Sequence, residues 1–439
     1  MLVNARVWPA GDRLAVTGGV IGPPDAEGEL IDLGGATVVP GLVDAHVHFP
    51  SWALGRRELR LFGTRSLADA LERIEAADKP ADGWLRGRGW REEEWPEGER
   101  PTRASLDAVT GDVPTALRAH DGHTLWVNSA ALADDDDGLL REHDAWDFFD
   151  AHAAATPGET LDSVRAALPA AHAAGVTGVH DKDGARGAPE AFAALRDAGE
   201  LTLRVWQSVP DPDPARGSYV KVFMDGTLGS STALLIGGGG MRLMGPAGLA
   251  AAIRAAAAAG MPVAVHAIGD LANREALDGF EATEEVWRPL GLRHRIEHAQ
   301  CVHPDDVARS ARLGITASVQ YTHATSDREL AARLWADRLA HAYPYRQLLD
   351  AGVRLAGGSD APVEELDPLA GLRAAAECGV TFDEALTSFT ATPAWLEGAE
   401  HRRGRLSPGS DADLVVLDGD RVRATMVAGR WVHGQPRAS

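Results

Sequence analysis

The chain has 439 residues, 45% of them hydrophobic and 24% charged, which is the balance of a folded globular protein too long for one small domain. Its formal net charge of −21 argues against nucleic acid or an anionic membrane surface as a partner, because both prefer a basic face. The first residues show no basic segment followed by an apolar core, and no apolar run is long enough to span a bilayer. We therefore expect a cytoplasmic protein that does not act at a membrane.

Both ends of the chain contain short β-like runs separated by turns. Residues 1–40 include LVNARVWPAGDRLAVTGG, and residues 411–434 include DADLVVLDGDRVRATMVAG. Such runs around Gly-Asp turns are typical of a small β-domain. The pattern predicts one β-sandwich domain that is built from residues 1–40 and 396–439.

Between these ends, short runs rich in Val, Ile and Ala alternate with Ala-, Leu-, Glu- and Arg-rich helical stretches such as 248–260 and 305–314. Buried parallel strands have this continuous apolar character. The candidate strands are 41–49, 175–181, 201–209, 219–226, 262–270, 293–300, 315–323 and 353–360. This order predicts the α/β class and a (β/α)8 TIM barrel over residues 41–395.

The segment between the first two strands is too long for a simple connection. Residues 60–174 hold two further strand-like runs, at 83–90 and 113–120. We interpret the segment as an insertion after the first strand. On a barrel, an insertion at that point lies over the catalytic face.

Polar side chains interrupt the apolar runs close to where the strands end. In GLVDAHVHFP, at 41–50, His46 and His48 point to the same side of an extended chain and can converge on one point. The other members of the set are Lys221, His266, His298 and Asp360. Each alone has an ordinary explanation, such as a core histidine for His298 or a helix cap for Asp360. Burying one unpaired ionisable group costs several kcal/mol, so the six together favour a shared function on one rim.

Four imidazoles and a carboxylate suit a borderline cation such as Zn²⁺. A hydroxide bound to such an ion attacks at neutral pH. Asp360 would then bind metal, take a proton from the attacking water and pass it to the leaving amine. Lys221 is the exception in this set, because an ammonium group repels metal ions.

Long motifs along nearly the whole chain resemble the amidohydrolase superfamily of metal-dependent hydrolases. The branch with the closest motifs is amidohydrolase family 3, which includes N-substituted formamide deformylases. The motifs are GLVDAHVH (41–48), HDGHTLWVNSAAL (120–132), VKVFMDGTLGSSTALL (220–235), VHAIGDLANREALDGFE (265–281), RHRIEHAQ (293–300), SVQYTHATSD (318–327), GGSDAPVEELDPLAGL (357–372) and GRLSPGSDADLVVLD (404–418).

The resemblance implies a barrel with a β-sandwich from both termini, and one or two divalent ions, usually zinc. It also implies that Lys221 is carbamylated by CO₂ and becomes an oxygen ligand between two ions. Asp360 and His298 would be the catalytic residues. The implied metal ligands are His46, His48, Lys221, His266, His298 and Asp360.

Five further residues are candidates for contact with a substrate. His123 and Asn128 lie in the insertion, where they could polarise a substrate carbonyl or stabilise the following turn. Trp90 could form an apolar wall of the pocket. Tyr321 and His323 follow the seventh strand, where loops carry substrate contacts in barrel enzymes.

The leading hypothesis is a hydrolase that cleaves an amide or N-acyl C–N bond of a small molecule. A one-metal aminohydrolase that deaminates a heterocycle is the alternative, although no Glu follows His266 before Glu275. Hydrolysis of a lactone or ester also stays open, because the same nucleophile attacks many carbonyls. A non-catalytic relative would be expected to lose ligands, and this chain keeps all six positions. The Ala-rich helices are a weak indication that the protein forms a homo-oligomer.

Overall fold

The computed structural model describes residues 1–23, 28–96, 98–133, 137–184 and 187–436. Eight parallel strands form its central sheet, and each pairs with the next along the chain. We label them β1 (Leu42–Val47), β2 (Val176–Asp181), β3 (Arg204–Val209), β4 (Tyr219–Phe223), β5 (Val263–Ala267), β6 (Arg295–His298), β7 (Thr316–Val319) and β8 (Leu355–Gly357). Every one lies within a run that the sequence predicts as a strand, so the predicted barrel is confirmed.

The segment that follows β8 returns to β1 and nearly closes the barrel. The backbone N–H of Asp360 donates to the carbonyl of His46 at 2.7 Å. The backbone N–H of Ser359 donates to the Asp44 carboxylate at 3.0 Å. This seam brings the last polar residue of the predicted set directly against the first.

Helices lie between the strands, some against the barrel and some against the sheet that the segment between β1 and β2 forms. Up to β2 they are Phe49–Gly55, Leu67–Ala76, Arg103–Thr110, Glu142–Phe148 and Pro157–Ala173; the later ones are Ala188–Asp197, Pro246–Ala258, Asp270–Glu281, Glu284–Trp287, Pro304–Leu313, His323–Ser326, Arg328–Leu334, Tyr345–Asp350, Pro368–Glu377, Phe382–Ser388 and Ala391–Leu396. Short 3₁₀ turns lie at Glu92–Glu94, Arg288–Leu290 and Leu339–His341, and a π-helical turn at Phe149–Ala153. None of the helices in the described ranges is both long and apolar enough to cross a membrane.

One connection departs from the predicted strand–helix alternation. Residues 210–218, all of which are described, join β3 to β4 without a helix. Their sequence, PDPDPARGS, places proline at every second position of its first half. Proline lacks the backbone N–H and clashes with the preceding helical turn, so this stretch cannot form a helix.

The helix Pro304–Leu313 shows how local chemistry sets these elements. Proline occupies its first turn, and Asp305 and Asp306 place negative charge at the positive end of the helix dipole. Gly314 ends it with a φ of 68°, a left-handed conformation that glycine adopts without strain. The chain then enters β7 directly.

Two smaller sheets flank the barrel. Strands from both termini form a mixed five-stranded sheet, as the sequence predicts: Arg6–Val7, Thr37–Pro40, Leu414–Asp418, Arg421–Val427 and Arg430–His433. Two short pairs accompany it, Leu2–Val3 with Ile31–Asp32 and Val16–Thr17 with Val20–Ile21. The segment between β1 and β2 forms the other five-stranded sheet, from Leu59–Arg60, Leu85–Trp90, Thr115–Ala119, Thr124–Val127 and Leu139–Arg141.

Candidate metal centre

A cavity of about 370 Å³ opens at the carboxyl ends of the barrel strands. Its wall combines residues of the barrel rim, such as His46 and His298, with residues of the segment between β1 and β2, such as Trp146. This is the face on which TIM-barrel enzymes carry their active sites.

Three buried residues converge in this cavity. One ligand atom of His46, one of His298 and one of Asp360 all lie within 4.8 Å of one another. The Asp360 Oδ1 atom lies 3.3 Å from His46 Nε2 and 3.6 Å from His48 Nε2. Two imidazoles and a carboxylate at this spacing match the donor types that bind a divalent ion.

The histidines are fixed through their other ring nitrogens. His46 Nδ1 contacts Glu297 Oε2 at 2.7 Å, and His48 Nδ1 contacts Asp183 Oδ1 at 2.8 Å. Such outer partners orient an imidazole and leave its second nitrogen for a metal. His298 is held in the same way, with Nδ1 2.8 Å from the side-chain oxygen of Gln320.

The backbone is strained where two of these side chains leave the barrel. His298 has a φ of 72° and Asp360 a φ of 60°, in the left-handed region that non-glycine residues seldom adopt. Strain of this kind persists only where surrounding contacts enforce it, and it is concentrated at functional sites. At Asp360 the enforcing contact is the seam with His46.

Burial and neighbouring charges set the protonation states. Burial lowers the pKa of His46 and holds that of His298 well below the usual range. Burial raises the pKa of Asp360, but the nearby His46, His298 and His48 rings outweigh it and the pKa lies well below its ordinary value. Neutral imidazoles and an ionised carboxylate are the forms that bind a metal.

Lys221 and His266 line the same cavity but make other contacts. The Lys221 Nζ atom lies 3.7 Å from the centre of the Phe223 ring, and burial lowers the pKa of this lysine to about 8. His266 Nε2 contacts the carbonyl of Gly226 at 3.1 Å, although its ring lies 4.6 Å from that of His298. The structure therefore gathers His46, His298 and Asp360 most closely, with His48 next and these two residues beside them.

A group of fully buried charges lies directly behind the centre. Glu297 contacts Lys182 Nζ at 2.9 Å and Arg295 Nε at 2.7 Å, in addition to His46. The cationic partners hold the pKa of Glu297 well below its usual range, although burial alone would raise it. The carboxylate that orients His46 is therefore ionised and fixed.

Two of the five predicted substrate contacts line the cavity. His323 Nε2 lies 3.9 Å from Asp360 Oδ2, and this buried nitrogen has no hydrogen-bond partner within the described part of the chain. His123 Nδ1 contacts Glu142 Oε2 at 2.6 Å. Burial lowers the pKa of His123, but this carboxylate outweighs the effect and raises it.

The other three predicted contacts have structural positions instead. Asn128 is fully buried, accepts from the backbone N–H of Thr115 at 3.0 Å and donates to Thr110. Trp90 is buried beside Trp95 and Trp126 in the core of the inserted sheet. Tyr321 packs in the barrel core against Phe389 and Tyr345. None of these three is among the residues that line the cavity.

The residues that hold the histidines were not predicted from the sequence. Lys182 and Asp183 follow the β2 run as polar residues at its carboxyl end, which was the available signal. Glu297 directly precedes His298 at the carboxyl end of β6, another signal of the same kind. Gln320 follows β7, yet nothing in the sequence pairs it with His298.

A nearly closed parallel barrel with a convergent His-His-Asp cluster at its carboxyl face is an architecture of hydrolytic enzymes. Comparisons with known proteins agree with this class. A family model described as the amidohydrolase family matches residues 29–438. The chain therefore belongs to the amidohydrolase family.

Individual relatives cover almost the whole chain. The protein YtcJ of Bacillus subtilis (strain 168) is 31% identical, over 90% of this chain and 86% of its own length. The N-substituted formamide deformylase of Arthrobacter pascens is 26% identical, over 95% of this chain and 90% of its own. An uncharacterized metal-dependent hydrolase from Pyrococcus horikoshii OT3 superimposes with a TM-score of 0.79 at 26% identity, covering 95% of this chain and 97% of that one.

Proposed function

We propose that the protein is a metal-dependent hydrolase that cleaves an amide or N-acyl C–N bond of a small molecule. The observation that carries the proposal is the convergence of His46, His298 and Asp360 within 4.8 Å in a cavity. The relative named as an N-substituted formamide deformylase supports the bond type. Zinc is the proposed ion, because two imidazoles and a carboxylate suit it well.

The side chains of the site have separate tasks. A bound divalent ion supplies Lewis acidity and lowers the pKa of water towards neutrality. Asp360, ionised and 3.3 Å from His46 Nε2, accepts the proton of the attacking water and passes it to the leaving nitrogen. His323 and His123 line the cavity and contact the substrate carbonyl.

Lys221 has a separate part in the proposal. A carbamate forms only on a neutral amine, and burial lowers the pKa of Lys221 to about 8, so far more of it is neutral at pH 7 than of an ordinary lysine. We propose that CO₂ converts it to a carbamate that binds a second ion. With bicarbonate supplied, elemental analysis should find about two ions per chain, and one or fewer in Lys221→Ala. One ion per chain in both the wild type and Lys221→Ala would contradict the proposed second metal site.

The position of Glu275 argues against the alternative of heterocycle deamination. This was the first glutamate after His266, and a superfamily deaminase would need it as a proton shuttle. Glu275 instead forms an ion pair with Arg242 at 2.6 Å, and it is not among the residues that line the cavity.

Asp360→Asn tests the central proposal, because it keeps the shape of the side chain and removes the proton acceptor. We expect hydrolysis of N-formyl and N-acyl amines to fall by about 10³-fold or more, with the far-UV circular dichroism unchanged. Asp420→Asn, the same change at an exposed turn, is the matched control and should keep full activity. Undiminished hydrolysis in Asp360→Asn would contradict the proposal.

A further inference from the structure

Two arginines of the inserted sheet line the cavity. Arg88 and Arg118 occupy paired positions on neighbouring parallel strands. Both bind the buried carboxylate of Glu58: Arg88 Nε donates to Oε2 at 2.9 Å, and Arg118 donates to both oxygens at 3.0 Å. Burial alone would raise the pKa of Glu58, but the two guanidinium groups outweigh it and lower the pKa to about 2. The carboxylate is therefore ionised.

Arg88 also has a donor that this carboxylate does not use. The Arg88 side chain is only 6% exposed, and its buried Nη2 atom has no hydrogen-bond partner within the described ranges. A buried donor on a cation is costly to leave unpaired, and native structures seldom do so. Because Arg88 also lines the cavity, a ligand held there is the candidate partner of this atom.

The position of Arg88 sets a distance from the metal centre. The seven-residue helix Phe49–Gly55 begins directly after His48. The Arg88 guanidinium packs against its other end, because a Cβ atom on Gly55 would lie 2.7 Å from Arg88 Nε. A helix of that length spans roughly 10 Å. Arg88 therefore lies roughly one helix length, about 10 Å, from the backbone at His48, and both residues line the one cavity.

Three aromatic rings and two carboxylates with donors of their own also line the cavity. Phe62, Trp146 and Phe149 line the cavity. Among the cavity acids, Asp327 is ion-paired with Arg91, and Asp121 accepts from the hydroxyls of Thr227 and Ser230 at 2.6 Å each. These acids are held by donors of their own.

We propose that Arg88 binds a carboxylate of the substrate, so that the substrate is an N-acyl derivative of an amino acid whose apolar chain or ring separates the scissile amide from the acid by roughly 10 Å. A guanidinium fork matches a carboxylate in geometry and charge. Arg88 is a specificity-determining residue in this assignment, and Glu58 limits the positive charge that it offers. The inference rests on the proposed C–N hydrolysis, but binding tests it separately.

The test compares acids with their neutral amides in the metal-loaded Asp360→Asn protein, which prevents turnover. The probes are 6-acetamidohexanoate and 4-(acetamidomethyl)benzoate, each paired with its carboxamide and titrated by calorimetry. We expect each acid to bind at least about tenfold more tightly than its amide, and Arg88→Met to abolish the preference. Arg86→Met, on the same strand but ion-paired with Glu159, should keep it.

The Glu58→Gln variant should change acid binding in the opposite direction to Arg88→Met. It therefore keeps the inference testable even if Arg88→Met does not fold. The Glu58→Gln change removes the negative charge beside the Arg88 guanidinium, so the acids should bind more tightly, which a purely structural role would not produce. Unchanged or weaker binding of the acids in Glu58→Gln overturns the inference, as does a panel in which neither acid binds more tightly than its amide. A preference that persists in Arg88→Met also overturns it. Acid preference without hydrolysis by the wild type would instead refute the proposed function alone.

Discussion

The two ends of strand β6 carry the same side chain in two different settings. His294 immediately precedes the strand and His298 ends it; both are buried, and burial lowers the pKa of both. His294 Nδ1 accepts from the backbone N–H of Val263 at 2.9 Å, and its ring packs 4.9 Å from Trp287. His298 instead shares its surroundings with His46 and Asp360.

The difference shows which observation indicates function. Burial and a lowered pKa do not distinguish the two histidines. Convergence with other ligands and a strained φ of 72° belong to His298 alone of the pair. Function at a barrel rim is therefore inferred from the joint geometry of several residues, and a single perturbed residue is insufficient.

The largest expected effect is a difference in catalytic activity between variants of these two histidines. His298→Gln removes a proposed metal ligand, and a metal contributes several kcal/mol to a hydrolytic transition state, so kcat/KM should fall by about 10³-fold. His294→Gln should change kcat/KM by less than about threefold, because the residue touches no reacting group. Amide hydrolysis and metal content of both purified variants would be measured. Similar losses of activity in the two variants would contradict this difference between His298 and His294.

An intermediate effect concerns the charges behind the rim. Glu297→Gln leaves Lys182 and Arg295 buried beside an uncharged group, which costs about 3 kcal/mol or more in the free energy of unfolding. It should also weaken metal binding by about 10-fold or more, because the partner of His46 Nδ1 is changed. Urea unfolding and metal titration measure both quantities. The control Glu284→Gln disrupts a partly exposed pair with Arg288 and should cost under about 1 kcal/mol.

The smallest effect is a pH dependence at the other end of β6. Burial lowers the pKa of His294 to about 3, from an ordinary 6.5. Between these values the unfolded chain binds the extra proton, so stability rises with pH and is lost as the pH falls below 6.5. From pH 7 to pH 5 this single group should cost about 2 kcal/mol.

The wild type and His294→Gln isolate that contribution. The difference between their free energies of unfolding should shrink by about 2 kcal/mol on going from pH 7 to pH 5. Other buried histidines titrate in both proteins and cancel. Parallel pH profiles would show that His294 is not held neutral in the fold.

The sequence was sufficient to predict the barrel because short runs with apolar residues alternate with longer helical stretches, which follow a 3.6-residue pattern. It also placed His46, His298 and Asp360 at one rim, since parallel strands share a carboxyl edge. It could not show that Tyr321 and Asn128 face the interior, because the direction of a side chain beyond a strand end depends on the loop. The three prolines of residues 210–218 were the available signal that no helix precedes β4.

The partners of the histidines were beyond prediction for another reason. Glu297 and His46 lie 251 residues apart in the chain, and His48 and Asp183 lie 135 apart. Such pairs form only when the barrel brings distant strands together. No local propensity or spacing encodes which carboxylate meets which ring.

The seam between the first and last barrel strands also sets when the centre can exist. Its hydrogen bond between Asp44 and Ser359 joins positions 315 residues apart. A ribosome adds roughly 5–20 residues per second, so His46 leaves the exit tunnel long before Asp360 is made. The ligand set is therefore completed only after Asp360 has been synthesised, and binding of an ion would indicate that the barrel has closed.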